Sequence, residues 1–415
     1  MSHSRRDFIK FVVAGSVAGG CPIDSTLVAA PHPSAGGDPR VDGEHFEICH
    51  QVRDGHAFDR PDVTRKVDIA IIGGGVAGLS AAYFLGGKDF LLLEKEDHFG
   101  GNAYQEEYEG QPFCTGSAYA YKDDEGDQLA SEIGLKLLPI DNPDPTIVNK
   151  AFVPDTWIKG IDQLPYPKEV RASFRKFRDD MTKIQVRKRM LELDSELFTK
   201  YTAGYAPEVQ QWWDGYGPSN WGAVCEETSA LVGIGGMQDL AAGVDGKRVI
   251  LPGGLGSITH KLVEVLKPKY QERMLGDATV VAVVQDQDAV RITYFHEGKL
   301  TTAAAKVVLL CTPKHITSRM VLNLPNEQRT AMRRTRFAPY PVVNVISTSR
   351  STTAATTTGA RAIPSRISSL RTGRSATSRA TGRRTTSCRS IRRCANTSAR
   401  HFWRKPIARN SPPGS

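Results

Sequence analysis

Three glycines, one carboxylate and a second glycine pair have the types and spacing to do chemistry. Gly73, Gly75 and Gly78 follow G-x-G-x-x-G, and Glu94 stands about 20 residues beyond the first of them. Such a set holds a dinucleotide. The first glycine permits a tight turn out of a strand, and the second has no Cβ to keep a pyrophosphate off the backbone. The third lets the following helix lie close to the sheet, and the acid accepts from a ribose hydroxyl. The helix that follows the turn points free N–H groups and the positive end of its dipole toward the phosphates. The spacing alone is weak evidence. Here it follows an apolar run, opens a helical run, and is answered by an acid that closes a second apolar run.

The elements needed to position these residues can be read around them. A strand is expected over Val67–Ile72, a helix over Ala77–Leu85 and a strand over Phe90–Glu94. Gly100-Gly101-Asn102 follow, then a hairpin across Tyr108–Ser117. From 121 to 245 the pattern becomes helical and aromatic. Lys168–Leu193 carries Val170, Phe174, Phe177 and Met181 at helical spacing, the signature of a buried face. The aromatic concentration Tyr201–Trp221 reads as the wall of a substrate pocket or as the core of a helical cap, and the core reading is preferred. Val249–Leu266 is a strand, a glycine turn and a helix. Strands follow over Thr279–Val284, Ala289–Phe295 and Lys306–Cys311, with another opening in Pro339–Ile346.

The formal charge of +9 suggests nucleic acid until it is located. No acid follows Glu327, and the remaining residues hold 18 Arg and one Lys, so the body is acidic and no nucleic-acid partner is expected. None of the seven cysteines has C-x-x-C spacing, and no metal site is expected. Ser4-Arg5-Arg6-Asp7-Phe8-Ile9-Lys10 before a short apolar stretch is a twin-arginine export signal, which implies the export machinery as partner and a periplasmic location. Cys21 is read as a lipid-anchor site or a plain cysteine. Residues 351–400 hold 11 Arg, 11 Thr and 9 Ser without an acid. The change falls inside a strand, which is how a GC-rich gene reads after a frameshift near Ile346.

These residues resemble the flavin-dependent amine oxidase and phytoene desaturase superfamily. Ile71–Ala82, Glu94, Gly100-Gly101, Pro252-Gly253-Gly254 and the strand ending at Thr312-Pro313 carry the resemblance. With the twin-arginine pattern and Leu193–Tyr201, the chain is most similar to the exported polyamine (spermidine) dehydrogenase branch. The resemblance implies an α/β fold: a Rossmann-like FAD-binding domain interleaved with a mainly helical substrate (cap) domain, then a disordered C-terminal tail. The expected boundaries are 1–30 signal, 31–65 leader, 66–120 and 246–346 FAD-binding parts, 121–245 cap and 347–415 tail. It implies FAD bound by Gly73, Gly75, Val76, Ala77, Gly78, Glu94, Lys95, Gly100, Gly101, Asn102, Val281 and Thr312. Glu94 would take the adenosine ribose, and the strand near Val280–Val281 the adenine.

Two departures from the family stand out. Asn102 replaces the arginine that many relatives place on the pyrophosphate, and nothing in 347–415 resembles the family's final segment. The implied reaction is oxidation of a small amine by hydride transfer to flavin, in a copy expected to be truncated or impaired. The electron acceptor is unidentified. No catalytic residue is assigned: His98 and His260 near the glycines, and Asp214 and Glu226 beside the aromatics, read by default as ordinary surface or capping groups. The alternatives are a flavin-free pseudoenzyme and an NAD-dependent dehydrogenase.

Overall fold

The computed structural model describes residues 46–338 apart from 123, 140–144, 150 and 244–247, together with 342, 344 and the backbone of 357–361 and 370–371. The residues read as an export signal, Cys21, the position read as a frameshift and most of the tail lie outside the described residues.

The polar stretch read as a leader holds a helix, α1 (Glu47–Asp54), closed by Gly55 at φ +83°. It has no buried residue, so no apolar stripe marks it in the sequence. Then come β1 (Val63–Ile72), α2 (Val76–Leu85) and β2 (Phe90–Leu93). Ala70, Ile71 and Ile72 are buried in succession, as are all four residues of β2. A strand covered on both faces in a parallel sheet produces such unbroken apolar runs. A hairpin, β3 (Gln105–Tyr108) and β4 (Gln111–Cys114), follows where expected.

Next are β5 (Ala120–Tyr121), α3 (Glu125–Glu132), β6 (Leu138–Pro139), β7 (Thr146–Val148) and β8 (Ala151–Val153). The cap helices are α4 (Lys168–Thr182), α5 (Met190–Ser195), α6 (Thr199–Thr202), α7 (Pro207–Asn220) and α8 (Ala230–Ala241). The helical stripe read over Lys168–Leu193 stops at Thr182. There Gln238 Nε2 donates to the carbonyls of Met181 and Ile184 at 2.9 and 2.8 Å, adding to the Ile184 and Val186 N–H groups that they already accept. The aromatic residues of the cap are its core. Trp157, Phe174, Phe177, Phe198, Trp212 and Trp213 are at most 2% exposed, and Trp213 stacks between Trp157 and Trp221 at 5.7 and 5.6 Å.

The chain returns through β9 (Arg248–Ile250), which joins β5 and β6 in a small sheet, and α9 (Gly256–Tyr270). It completes the main sheet with β10 (Met274–Leu275), β11 (Thr279–Gln285), β12 (Val290–His296) and β13 (Lys299–Leu310). The order is β10-β2-β1-β13-β12-β11, with the first four parallel and the last three an antiparallel meander. The strand read over Lys306–Cys311 starts seven residues earlier, at Lys299. Its first half is Thr and Ala, poor strand formers on their own account in the case of Ala, but Ala303 and Ala305 are buried between two partners.

One face of the sheet packs Ile71, Phe90 and Leu92 on Leu79 and Ala82 of α2 and on Ile258 and Leu262 of α9. Ala70, Ile72, Leu91 and Leu93 face the other way, with Ile292 and with Met320 of α10 (Lys314–Met320). After α11 (Asn326–Arg334), two stretches of the tail read as disordered are paired strands. β14 (Thr357–Arg361) lies parallel to β7, and β15 (Leu370–Arg371) lies against β14.

Candidate functional site

Strand β1 ends under a closed ceiling. Gly73 sits at φ +105°, and a Cβ there would lie 2.7 Å from the Cys311 carbonyl oxygen and 3.2 Å from Thr312 Cγ2. Cys311 N–H in turn donates to Ile72 O at 2.8 Å, so the end of β13 is tied across the turn. The third glycine is required by its own turn: a Cβ on Gly78 would be 1.9 Å from Gly73 O. The middle glycine is different. A Cβ on Gly75 would meet only Gly101 Cα at 3.8 Å and Gly100 O at 3.9 Å, both ordinary contacts. The protein itself therefore places no demand on that position. The open side of Gly75 is room for something else to approach the backbone.

The helix start above this opening fits an anionic group. Gly75 is the N-cap of α2 and gives no side-chain cap, and the first turn carries no acid. Val76 and Ala77 are exposed, while Gly78 and Leu79 are buried. The first N–H groups of the helix thus meet the outside without an internal acceptor from a cap, as a phosphate site requires. The second glycine pair lies across the turn. Gly100 N–H donates to Gly74 O at 2.9 Å, Gly75 and Gly100 form a parallel bridge, and Gly101 stands at φ +56°.

Glu94 directly follows β2 beside the same opening and is 8% exposed. One carboxylate oxygen accepts Gly74 N–H at 2.6 Å and the other accepts Glu96 N–H at 3.1 Å. Burial pushes its pKa up, opposed by the Gly74 hydrogen bond. A carboxylate has about four acceptor positions, so capacity remains for ribose hydroxyls. Lys95 is paired with Glu96. Cys49 of α1 lies close enough to feel the charges of Lys95 and Glu94, and burial pushes its thiol pKa up.

The structure brings together Gly73, Gly75, Val76, Ala77, Gly78, Glu94, Gly100, Gly101 and Thr312, with Lys95 alongside. Asn102 is exposed at the end of the second glycine pair. Val281 is buried on β11, three residues beyond Ala278, whose N–H donates to Glu94 O at 2.8 Å. Backbone groups that close the site, Gly74 N–H and Cys311 C=O, carry no side-chain signal in a sequence. The default readings of the other candidates fit their contacts. His98 pairs with Asp97 at 2.6 Å and packs on Tyr104, and His260 pairs with Glu264 at 3.1 Å. Asp214 Oδ1 accepts Cys225 N–H at 2.9 Å, and Glu226 is exposed. Among the described residues no three His, Cys, Asp or Glu side chains are grouped to hold a metal ion.

This turn, helix start and acid on a parallel sheet are those of a Rossmann-type fold. Residues 71–130 match the family described as NAD(P)-binding Rossmann-like domain. No curated protein sequence matches the chain significantly. Among solved structures, wild-type putrescine oxidase bound to putrescine superposes with a TM-score of 0.58 at 17% identity, covering 74% of this chain and 72% of that one. Cyclohexylamine oxidase from Brevibacterium oxydans IH-35A gives 0.51 at 20% identity, over 65% and 63% of the two chains. A putative protoporphyrinogen oxidase from Exiguobacterium sp. 255-15 gives 0.54 at 17% identity, over 74% and 73%. The fold is shared with these oxidases.

Proposed function

We propose that this chain is an FAD-dependent oxidoreductase of amine oxidase or dehydrogenase type, acting on a small amine such as a polyamine. The observation that carries the reading is the unfilled space over Gly75 at an uncapped helix start, with Glu94 buried beside it. The fold shared with amine oxidases supports the substrate class. The chemistry supplied by a bound flavin is two-electron oxidation of the carbon beside a neutral amine nitrogen. The chain's own part is to hold and orient. The α2 N–H groups from Val76 onward meet the pyrophosphate charge, Glu94 accepts from the ribose, and Gly100-Gly101 keep the turn in register. Asn102, a neutral group, offers a weaker phosphate contact than a guanidinium does.

Export by the twin-arginine route to the periplasm is part of the proposal, supported by Arg5, Arg6, Phe8 and Lys10. So is an impaired C-terminal part, supported by the composition after Ile346. The test is to purify the chain, extract and identify any bound nucleotide, and assay putrescine and spermidine with an artificial electron acceptor. Bound FAD with amine-dependent reduction of the acceptor is expected of a repaired reading frame, and bound FAD with weak or no turnover of the present one. Protein that retains NAD, or that neither retains nor binds added FAD, would overturn the reading.

A further inference from the structure

Helices α1, α10 and α11 bring arginines to one place. Arg319 Nη1 of α10 donates to the Arg53 carbonyl, at the end of α1, at 2.6 Å. Arg53 Nε and Nη2 hold the Asp54 carboxylate, each at 2.7 Å, and that pair is neutral. Arg329 of α11 donates through Nη1 to Ser318 O at 2.7 Å and through Nη2 to Val321 O at 3.0 Å, which clamps α11 on the end of α10. Arg333 lies one turn further along α11, on the same side of that helix as Arg329.

Arg319 is half-buried among these cations. Burial, then Arg333 and Arg53, push its pKa below the usual guanidinium value, and Asp54 offsets them in part. Among the described residues neither Arg319 nor Arg333 forms an ion pair with an acid. Two nitrogens beside them are unanswered as well. Arg53 Nη1 and His315 Nδ1 are buried and meet no hydrogen-bond partner among the described residues. His315 stands one turn before Arg319 on α10 and packs on Phe337 at 4.3 Å. Ending α1 takes only one of the several N–H donors of Arg319. That structural role calls for neither a second unpaired guanidinium nearby nor buried nitrogens without an acceptor. Such an arrangement is costly unless an anion stands among the cations.

We propose that Arg319, Arg333 and Arg53 Nη1, at the junction of α1, α10 and α11, bind an oxyanion of phosphate type. The two guanidinium charges left over match a dianion, and their planar forks fit its oxygens in pairs. The bound anion ties α1 to α10 and α11. The site stands apart from the flavin reading and does not rest on it.

Calorimetric titration of the full chain with inorganic phosphate, against sodium chloride at the same ionic strength, tests the assignment. The titration is run with and without saturating FAD, and one phosphate per chain should bind in both cases. Arg333→Gln should weaken binding about tenfold or more, and Arg319→Gln should do the same. Thermal melts confirm that each variant folds. Arg333 is exposed, so its variant decides the matter if Arg319→Gln loosens α1. Absence of phosphate binding by the wild type overturns the proposal. Wild-type affinity in Arg333→Gln gives the binding to the Arg-rich tail and overturns it as well. Binding abolished by FAD gives the anion to the glycine turn at Gly75 and likewise overturns it.

Discussion

Replacing Gly75 and Gly78 separately by alanine distinguishes a ligand site from a mere turn. Gly75 lies at φ −74°, ψ −171°, ordinary extended backbone, and its Cβ would touch nothing closer than 3.8 Å. Gly75→Ala should therefore leave the unliganded fold within about 0.5 kcal/mol of wild type, or raise it by up to about 1 kcal/mol through the unfolded chain. The methyl group occupies the space a pyrophosphate needs. Loss of two charge-assisted hydrogen bonds at about 1.5–3 kcal/mol each weakens FAD binding at least about a hundredfold. Gly78→Ala has the opposite profile. Its Cβ would lie 1.9 Å from Gly73 O, where real contacts stay beyond 3.0 Å. A helix-propensity gain of about 1 kcal/mol offsets only part of that clash, and a net loss of about 1–3 kcal/mol is expected. Urea unfolding of the unliganded chain measures the first quantity, and titration with FAD followed by flavin fluorescence measures the second. Wild-type affinity in Gly75→Ala would refute the reasoning, as would a loss of stability matching that of Gly78→Ala.

Glu94→Gln should cost about 1–3 kcal/mol and weaken FAD binding, because a carboxamide cannot accept from Gly74 and Glu96 N–H groups with both its heavy atoms; chemical denaturation with and without FAD checks both effects. Asp180 is held down to about 2 by Lys176, with Tyr205 and Lys183 adding to it. Its contribution is therefore full above the unfolded carboxylate value near 3.8 and is lost as pH falls toward 2. Urea midpoints at pH 5 and pH 2.5 should therefore differ less in Asp180→Asn than in wild type. Trp213→Ala should cost about 3–5 kcal/mol, nearly all of it packing, since its buried indole N–H has no hydrogen-bond partner among the described residues. A small loss on thermal or urea unfolding would return the aromatic cluster to the status of a pocket wall.

The glycine turn was legible because Gly73 and Gly78 each answer a steric demand, Gly75 leaves space open, and Glu94 follows the next strand. The long parallel strand was only half legible: Thr301 to Ala305 have no apolar periodicity, and their burial comes from partners on either side. Helix α1 was invisible for the related reason that it buries no residue fully and is tied down by Arg319 Nη1 donating to Arg53 O at 2.6 Å. The cap core was legible as an aromatic concentration. Its choice between pocket and core was settled only by the stacking of Trp213 and Trp221 with Trp157, which lies far from them in sequence. Sequence carries side-chain identity, whereas the ends of this site are closed by main-chain groups.

The pairing of β1 with β13 has a consequence for the order of events as the chain is made. Thr64 Oγ1 donates to Thr302 O across 238 residues, and the ceiling over Gly73 is Cys311. The first glycine turn leaves the ribosome long before its lid exists. Until then β1 offers a bare edge to other chains, and a parallel pairing over so long a loop forms slowly. A nucleotide that binds the completed turn cannot guide the early stages. If the chain binds FAD as proposed, the nucleotide would arrive last, as a lock on a finished sheet, and its concentration would set how firmly that sheet stays shut.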